Sequence, residues 1–271
     1  MATIKVGLSG WSYSEWRGDF YPEGLPAKQR LRYAADHFPT LEINASFYSL
    51  KRPSTYAGWH EEAPAVPFAV KGSKLVTHVR RLADVEQELA NFFASGVLAL
   101  GPGLGPFLWQ LPPSLRFDAE RVQDFLDLLP RTTTELARLA ARHDENVTAA
   151  RALVQAEVDR PVRHALEPRH ASWADPEAHA LLAEHDVAMV VSDLAGRYPM
   201  FEVATTDLVY VRLHGHTRLY RSRYAPASLD AWAQRCHRWR AEGRDVLVYF
   251  DNSAEGRAPR DALALMRRLE S

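Results

Sequence analysis

LEINAS, residues 41–46, alternates apolar and polar side chains with the period of two that a β-strand imposes. Leu41 and Ile43 face one side; Glu42, Asn44 and Ser46 face the other. The same alternation sends Lys71 to the polar side of FAVKGS, Gln110 of FLWQL, Glu167 and Arg169 of HALEPRH, and Tyr210, Arg212 and His214 of LVYVRLHG. Asp193 closes a sixth run, and Asp251 with Asn252 closes the last. In all, eight β-like runs are legible, at 5–11, 41–46, 68–73, 107–111, 164–170, 187–193, 208–215 and 245–252. Helical patterns separate them, among them AKQRLRYAADHF, ADVEQELANFFASG, AERVQDFLDLLP, DPEAHALLAEH, SLDAWAQRCHRWRAEG and APRDALALMRRLE. Asp84 and Ser228 read as helix starts, Gly96 and Gly243 as helix ends.

Strand followed by helix, repeated about eight times, predicts a single (β/α)8 TIM barrel spanning 1–271. An open doubly wound sheet fits less well, because no Gly-rich phosphate turn follows the first strand. The 132–158 stretch exceeds the repeat and reads as a helical insertion before strand five, two helical segments broken near Asp144. The polar residues would then face the barrel axis at the C-terminal strand ends, where barrel active sites form. Charges there must compensate one another or bind a ligand, and a closed salt-bridge network filling the axis is the plain alternative.

The 271 residues carry 33 Lys and Arg against 34 Asp and Glu, a net charge of −1, so no global field draws nucleic acid or an anionic membrane. The start lacks a basic segment followed by a long apolar one, and no later run approaches a membrane span; the expected location is cytoplasmic. The single Cys236 excludes an internal disulfide and a cysteine zinc site, and beside His237 it does not share a helix face. Gly101–Pro106 lacks the Lys-Ser/Thr of a phosphate loop and reads as a connector.

GLSGWSYSEWRGDFYP (7–22), LRYAADHFPTLEINASFY (31–48), FAVKGSKLVTHVRRL (68–82), FLWQLPPSL (107–115), EPRHASW (167–173), YVRLHG (210–215) with Tyr220 and Tyr224, and VYFDNSAEGRAPRDA (248–262) occur in that order. Together they resemble the YecE-like proteins of domain-of-unknown-function family seventy-two. The resemblance implies a TIM barrel of the kind shared with several metal-dependent isomerases and endonucleases, and no established reaction. It also marks departures: the family commonly reads Asn-Asn at Asp251-Asn252 and Asn at Asp261.

The expected site gathers around the barrel mouth. The first loop should roof it, most of its rings packing the loop and Trp11 and Tyr13 offering faces to a ligand. His214 to Tyr224 holds Arg218, Arg221 and Arg223 with two histidines and two tyrosines, an anion-binding surface of which Arg218, Tyr220 and Arg221 are ligand candidates. Lys71, Arg169 and Arg212 are assigned to holding an anion, Glu42 or Glu167 to the base, and His214 or His78 to the acid. Asn44, Gln110, His170, Asp193, Asp251 and Asn252 complete the ligand shell.

The predicted function is an enzyme acting by acid–base chemistry on a small or nucleotide-like anion, with phosphoester hydrolysis as one such reaction. A second reading is a nucleic-acid-binding protein using the 214–224 loop and the first-loop rings. A third is a metal-dependent hydrolase or isomerase with Glu42, Glu167, Asp193, His214 and Asp251 as ligands, and a fourth is a barrel without catalysis that binds a partner. Three cations on the same face oppose a divalent ion, so no metal and no other cofactor is predicted.

Overall fold

A computed structural model describes residues 1–270. Nine strands occur among the described residues: β1 Ile4–Ser9, β2 Leu41–Ile43, β3 Phe68–Lys71, β4 Leu104–Gln110, β5 His164–Glu167, β6 Val187–Met189, β7 Val191–Asp193, β8 Leu208–Leu213 and β9 Asp245–Phe250. All eight expected runs are present, and the sixth divides into β6 and β7 at Val190. Several are shorter than expected. β2 stops at Ile43 because Asn44 enters the helical region (φ −91°, ψ −18°) and Ala45–Tyr48 forms a helical turn, so Asn44 and Ser46 are not strand residues. β5 stops before Pro168, which has no N–H to continue a ladder.

The chain folds as two compact units, residues 1–42 with 188–271, and residues 43–187. In the first, β1 pairs in parallel with both β2 and β9, β9 with β8, and β8 with β7. Register places Ser9 beside Glu42, and Arg212 beside Tyr249 and Ser192. Val6, Leu8, Val211, Val246 and Val248 are buried in these strands. Gly7 lets β1 approach the Thr40 carbonyl, since a Cβ there would collide with that oxygen. Pro226–Ala241 and Arg257–Leu269 are the unit's long helices. The first starts at Pro226, suited to a first turn that needs no N–H, so Ser228 lies inside the helix and is not its cap.

In the second unit β4 pairs in parallel with β3 and β5, Gln110 opposite Glu167. Its core is aromatic: Phe92, Phe93, Phe107, Trp109 and Phe125 are fully buried. Trp109 Nε1 donates to His164 Nδ1 at 3.1 Å, and His164 Nε2 lies 2.8 Å from the Pro130 carbonyl. Burial lowers the His164 pKa to about 3, so this histidine is a neutral core residue. Asp118, Thr132 and Asp175 cap the helices Ala119–Asp127, Thr133–Ala140 and Pro176–Glu184 by accepting backbone N–H groups. Asp84 does not cap its helix, which begins at Glu86; it adopts φ +49° in the preceding turn. Gly96 ends that helix at φ +113°, a conformation an L side chain rarely adopts. Within 132–158 only Thr133–Ala140 is an α-helix; the second expected segment is reduced to the 3-10 turn Ala149–Arg151.

Candidate functional site

The polar strand ends resolve into two clusters, one in each unit. In the first unit Glu42 is fully buried and saturated. It accepts Arg212 Nε at 3.1 Å and Nη2 at 2.8 Å, Tyr210 OH at 2.6 Å, and the Ser9 hydroxyl. Arg212, also fully buried, further donates to Ser9 Oγ at 2.9 Å and Asp251 Oδ2 at 3.2 Å, and its Nη1 lies 3.3 Å from His214 Nε2. His214 Nδ1 in turn lies 3.0 Å from Asp251 Oδ2. The partner of Glu42 is thus Arg212, one of the cations that the sequence placed on the same face. Both carboxylate oxygens are engaged by these donors, so the geometry makes Glu42 the anchor of Arg212 in place of the base expected of it. Burial, then the Glu42 charge, raises the Tyr210 pKa and keeps that phenol a donor.

Around this cluster the first loop packs upon itself. Trp11, Trp16, Phe20 and Tyr21 are buried. Trp16 Nε1 donates to the Ser253 carbonyl at 2.7 Å and Tyr21 OH to the Trp11 carbonyl at 2.6 Å. Trp11 therefore packs the loop and does not offer the open ring face expected of it. Tyr13 is half-buried, its OH donating to the Ser9 carbonyl at 2.9 Å; burial, then Asp251, raises its pKa. In the 214–224 loop Arg218, Arg221 and Arg223 are exposed, Tyr220 stands edge-on to the His214 ring, and Ser222 Oγ ties the Thr217 and Arg218 N–H groups. Asn252 was expected in the ligand shell, yet its amide nitrogen donates to the Ser222 carbonyl and Asp261 Oδ2, bracing this loop. Asp193 lies 3.6 Å from His216 and accepts the Ala195 N–H. The sequence counted His216 as one of the two histidines of this loop but gave it no role of its own, because a histidine three residues beyond the end of β8 has no period to mark it.

The second unit's cluster stands at the ends of β3, β4 and β5. Lys71 Nζ donates to Gln110 Oε1 at 2.8 Å and sits 4.5 Å from the centroid of the Phe47 ring. Gln110 Nε2 reaches His78 Nε2 at a long 3.5 Å, and His78 Nδ1 pairs with Thr77 Oγ1 at 2.9 Å. Arg169 Nε and Nη2 both donate to Glu167 Oε1, at 2.9 and 2.8 Å. Lys71, Gln110, Glu167 and Arg169 are buried and His78 half-buried. Burial first, then the charges of Lys71 and Arg169, lowers the His78 pKa to about 4. His78 is therefore neutral near pH 7, which suits a proton acceptor and not the acid predicted for it. His170 was expected to bind ligand; instead its Nδ1 accepts the Ser172 N–H at 3.1 Å and caps the turn Ala171–Ala174. Phe47 escaped the sequence reading because it lies just past the 41–46 run, on a helical turn that no strand period marks.

Among the described residues no three His, Cys, Asp or Glu side chains are grouped as metal ligands would be. Glu42 and Asp251 instead face Arg212, and Glu167 faces Arg169.

The sequence profile described as "Protein of unknown function DUF72" matches residues 5–271. The chain belongs to the DUF72 family. It is similar to the UPF0759 protein YunF of Bacillus subtilis, 24% identical over 98% of this chain and 95% of the relative. It is also 24% identical to the UPF0759 protein YecE of Escherichia coli, over 87% and 82% of the two chains. A DUF72 crystal structure from Thermotoga maritima superposes with a TM-score of 0.78 at 25% identity, over 99% of this chain and all of that one. The fold class is accordingly the α/β TIM barrel. Among the described residues no helix is long and apolar enough to cross a membrane.

Proposed function

We propose that the chain is an enzyme that applies acid–base chemistry to a small anionic substrate at the C-terminal ends of β3, β4 and β5. The observation carrying this reading is the neutral imidazole of His78 beside the buried cations Lys71 and Arg169. Thr77 fixes the Nδ1 side of the ring, and the 3.5 Å approach of Gln110 is too long to occupy Nε2 fully, so Nε2 is the basic atom. An anion seated on Lys71 and Arg169 would offset the charge that depresses His78 and raise its pKa toward that of a working base. Glu167 positions Arg169 in this scheme. Phosphoester hydrolysis is the reaction it suits: Nε2 takes a proton from water as the water oxygen bonds to phosphorus. The P–O ester bond breaks, and the departing alkoxide takes a proton from solvent. The two cations stabilise charge on the phosphoryl oxygens throughout.

The test is an NMR titration of the His78 ring with and without inorganic phosphate. Its pKa should rise from about 4 when phosphate is present, and Lys71→Met should abolish the rise. A His78 pKa indifferent to phosphate would remove this assignment.

The exposed Arg218, Arg221 and Arg223 favour a second reading, nucleic-acid binding through the 214–224 loop. Several phosphate contacts would make affinity fall steeply with salt, whereas one small anion would give a shallow dependence.

A further inference from the structure

Four of the eight large apolar side chains exposed among the described residues gather on one groove of the second unit. They are Tyr48, Leu50, Leu75 and Val79, exposed by 78%, 38%, 45% and 61%. Exposed apolar residues scattered singly need no explanation, but a contiguous group marks a binding surface. The groove has a volume of about 520 Å³, and Phe47 and Lys74 also line it. Leu75 and Val79 are the first and last residues of Leu75–Val79, a π-helical turn that also carries His78, and such turns concentrate at functional sites. The backbone just beyond is unusual as well: Arg81, Leu82 and Asp84 all adopt positive φ.

Phe47 connects this groove to the acid–base cluster. The ring lines the groove, lies 4.5 Å from Lys71 Nζ, and meets the His78 ring edge-on at 5.1 Å. The geometry points to one substrate that bridges both regions: a small anion bearing an aromatic ring, its anionic group on Lys71 and Arg169 and its ring in the groove against Tyr48, Leu75 and Val79. This rests on the anion site proposed above and adds the chemical class of the group attached to the anion. An aromatic ring is the occupant because the Tyr48 ring offers it a stacking face and the aliphatic side chains exclude water from its edge.

The probes are inorganic phosphate and phenyl phosphate, titrated against the wild type, Leu75→Ser/Val79→Ser and Lys71→Met. Leu75 and Val79 are exposed, so the double variant should fold. The wild type should bind phenyl phosphate about tenfold or more tightly than phosphate, a gain of one decade in Kd for the ring. Leu75→Ser/Val79→Ser should lose that gain while binding phosphate unchanged, and Lys71→Met should weaken both probes. Equal affinity for the two probes, or a gain that survives the double variant, would overturn the ring site and leave the anion site standing. Phenyl phosphate binding that depends on Leu75 and Val79 but not on Lys71 would overturn the anion site and the bridging of the two regions, leaving an isolated apolar groove. A wild type that binds neither probe would overturn both. Sedimentation that shows a dimer dissolved by the same double substitution would assign the groove to a second copy of the chain and overturn the inference.

Discussion

Glu42→Ala should destabilise the chain by about 3–5 kcal/mol, the cost of breaking a fully buried ion pair by removing one partner. The carboxylate receives four hydrogen bonds: two from Arg212, one from Tyr210 and one from Ser9. Without it the Arg212 guanidinium, fully buried, keeps Asp251 at 3.2 Å and Ser9 Oγ at 2.9 Å, so the loss is held below that of a wholly unpaired charge. The Tyr210 hydroxyl loses its acceptor outright, and a stranded buried donor costs about 1–3 kcal/mol by itself. At roughly 2–4 °C per kcal/mol for a chain of this size, the melting temperature should fall by about 6–20 °C. Urea unfolding followed by circular dichroism is the assay, and the midpoint should drop with the slope unchanged. Glu42→Gln separates charge from volume: it fills the same space, so a loss of similar size assigns the effect to the ion pair. A change below about 1 kcal/mol in Glu42→Ala would refute the reasoning, since only a hydrated carboxylate is removed so cheaply.

Acid should weaken the fold through its neutral histidines. His78 falls from 6.5 to about 4 in the folded chain and His164 to about 3, so between those values and 6.5 the unfolded chain binds protons that the folded one does not. Their contribution is intact above pH 6.5 and is lost as pH falls toward 4; unfolding curves at pH 7 and pH 5 should differ less in His78→Gln than in the wild type, and identical differences would count against a depressed His78. Gly7→Ala should cost about 1–3 kcal/mol or more by driving a methyl group into the Thr40 carbonyl, and a melting curve equal to the wild type would show that β1 can shift away. Cys236 is buried, which pushes its thiol up to about 12, so an aromatic disulfide reagent should label it only after urea unfolds the chain; prompt labelling of native protein would contradict that burial.

Local order was readable wherever a period exists. Alternation in LEI, FAVK, FLWQ and LVYVRL located β2, β3, β4 and β8 and picked out Glu42, Lys71, Gln110 and Arg212 as their polar members. The alternating α and β runs, together with the ordered family motifs, were enough for the barrel class. Period fails where strands end, because a loop residue's direction is set by what it packs against and not by its neighbours in sequence. Asn44, Ser46 and Phe47 accordingly went into a helical turn, and His170 became a cap. Pairing is the second thing the sequence left open. It supplied carboxylates and cations in near balance, but only the parallel register that sets Ser9 beside Glu42, and β8 beside β9, joined Glu42 to Arg212 and Arg212 to Asp251. Protonation followed from the same cause. Any histidine begins near 6.5, and it is burial beside Lys71 and Arg169, brought close by strands far apart in sequence, that keeps His78 neutral.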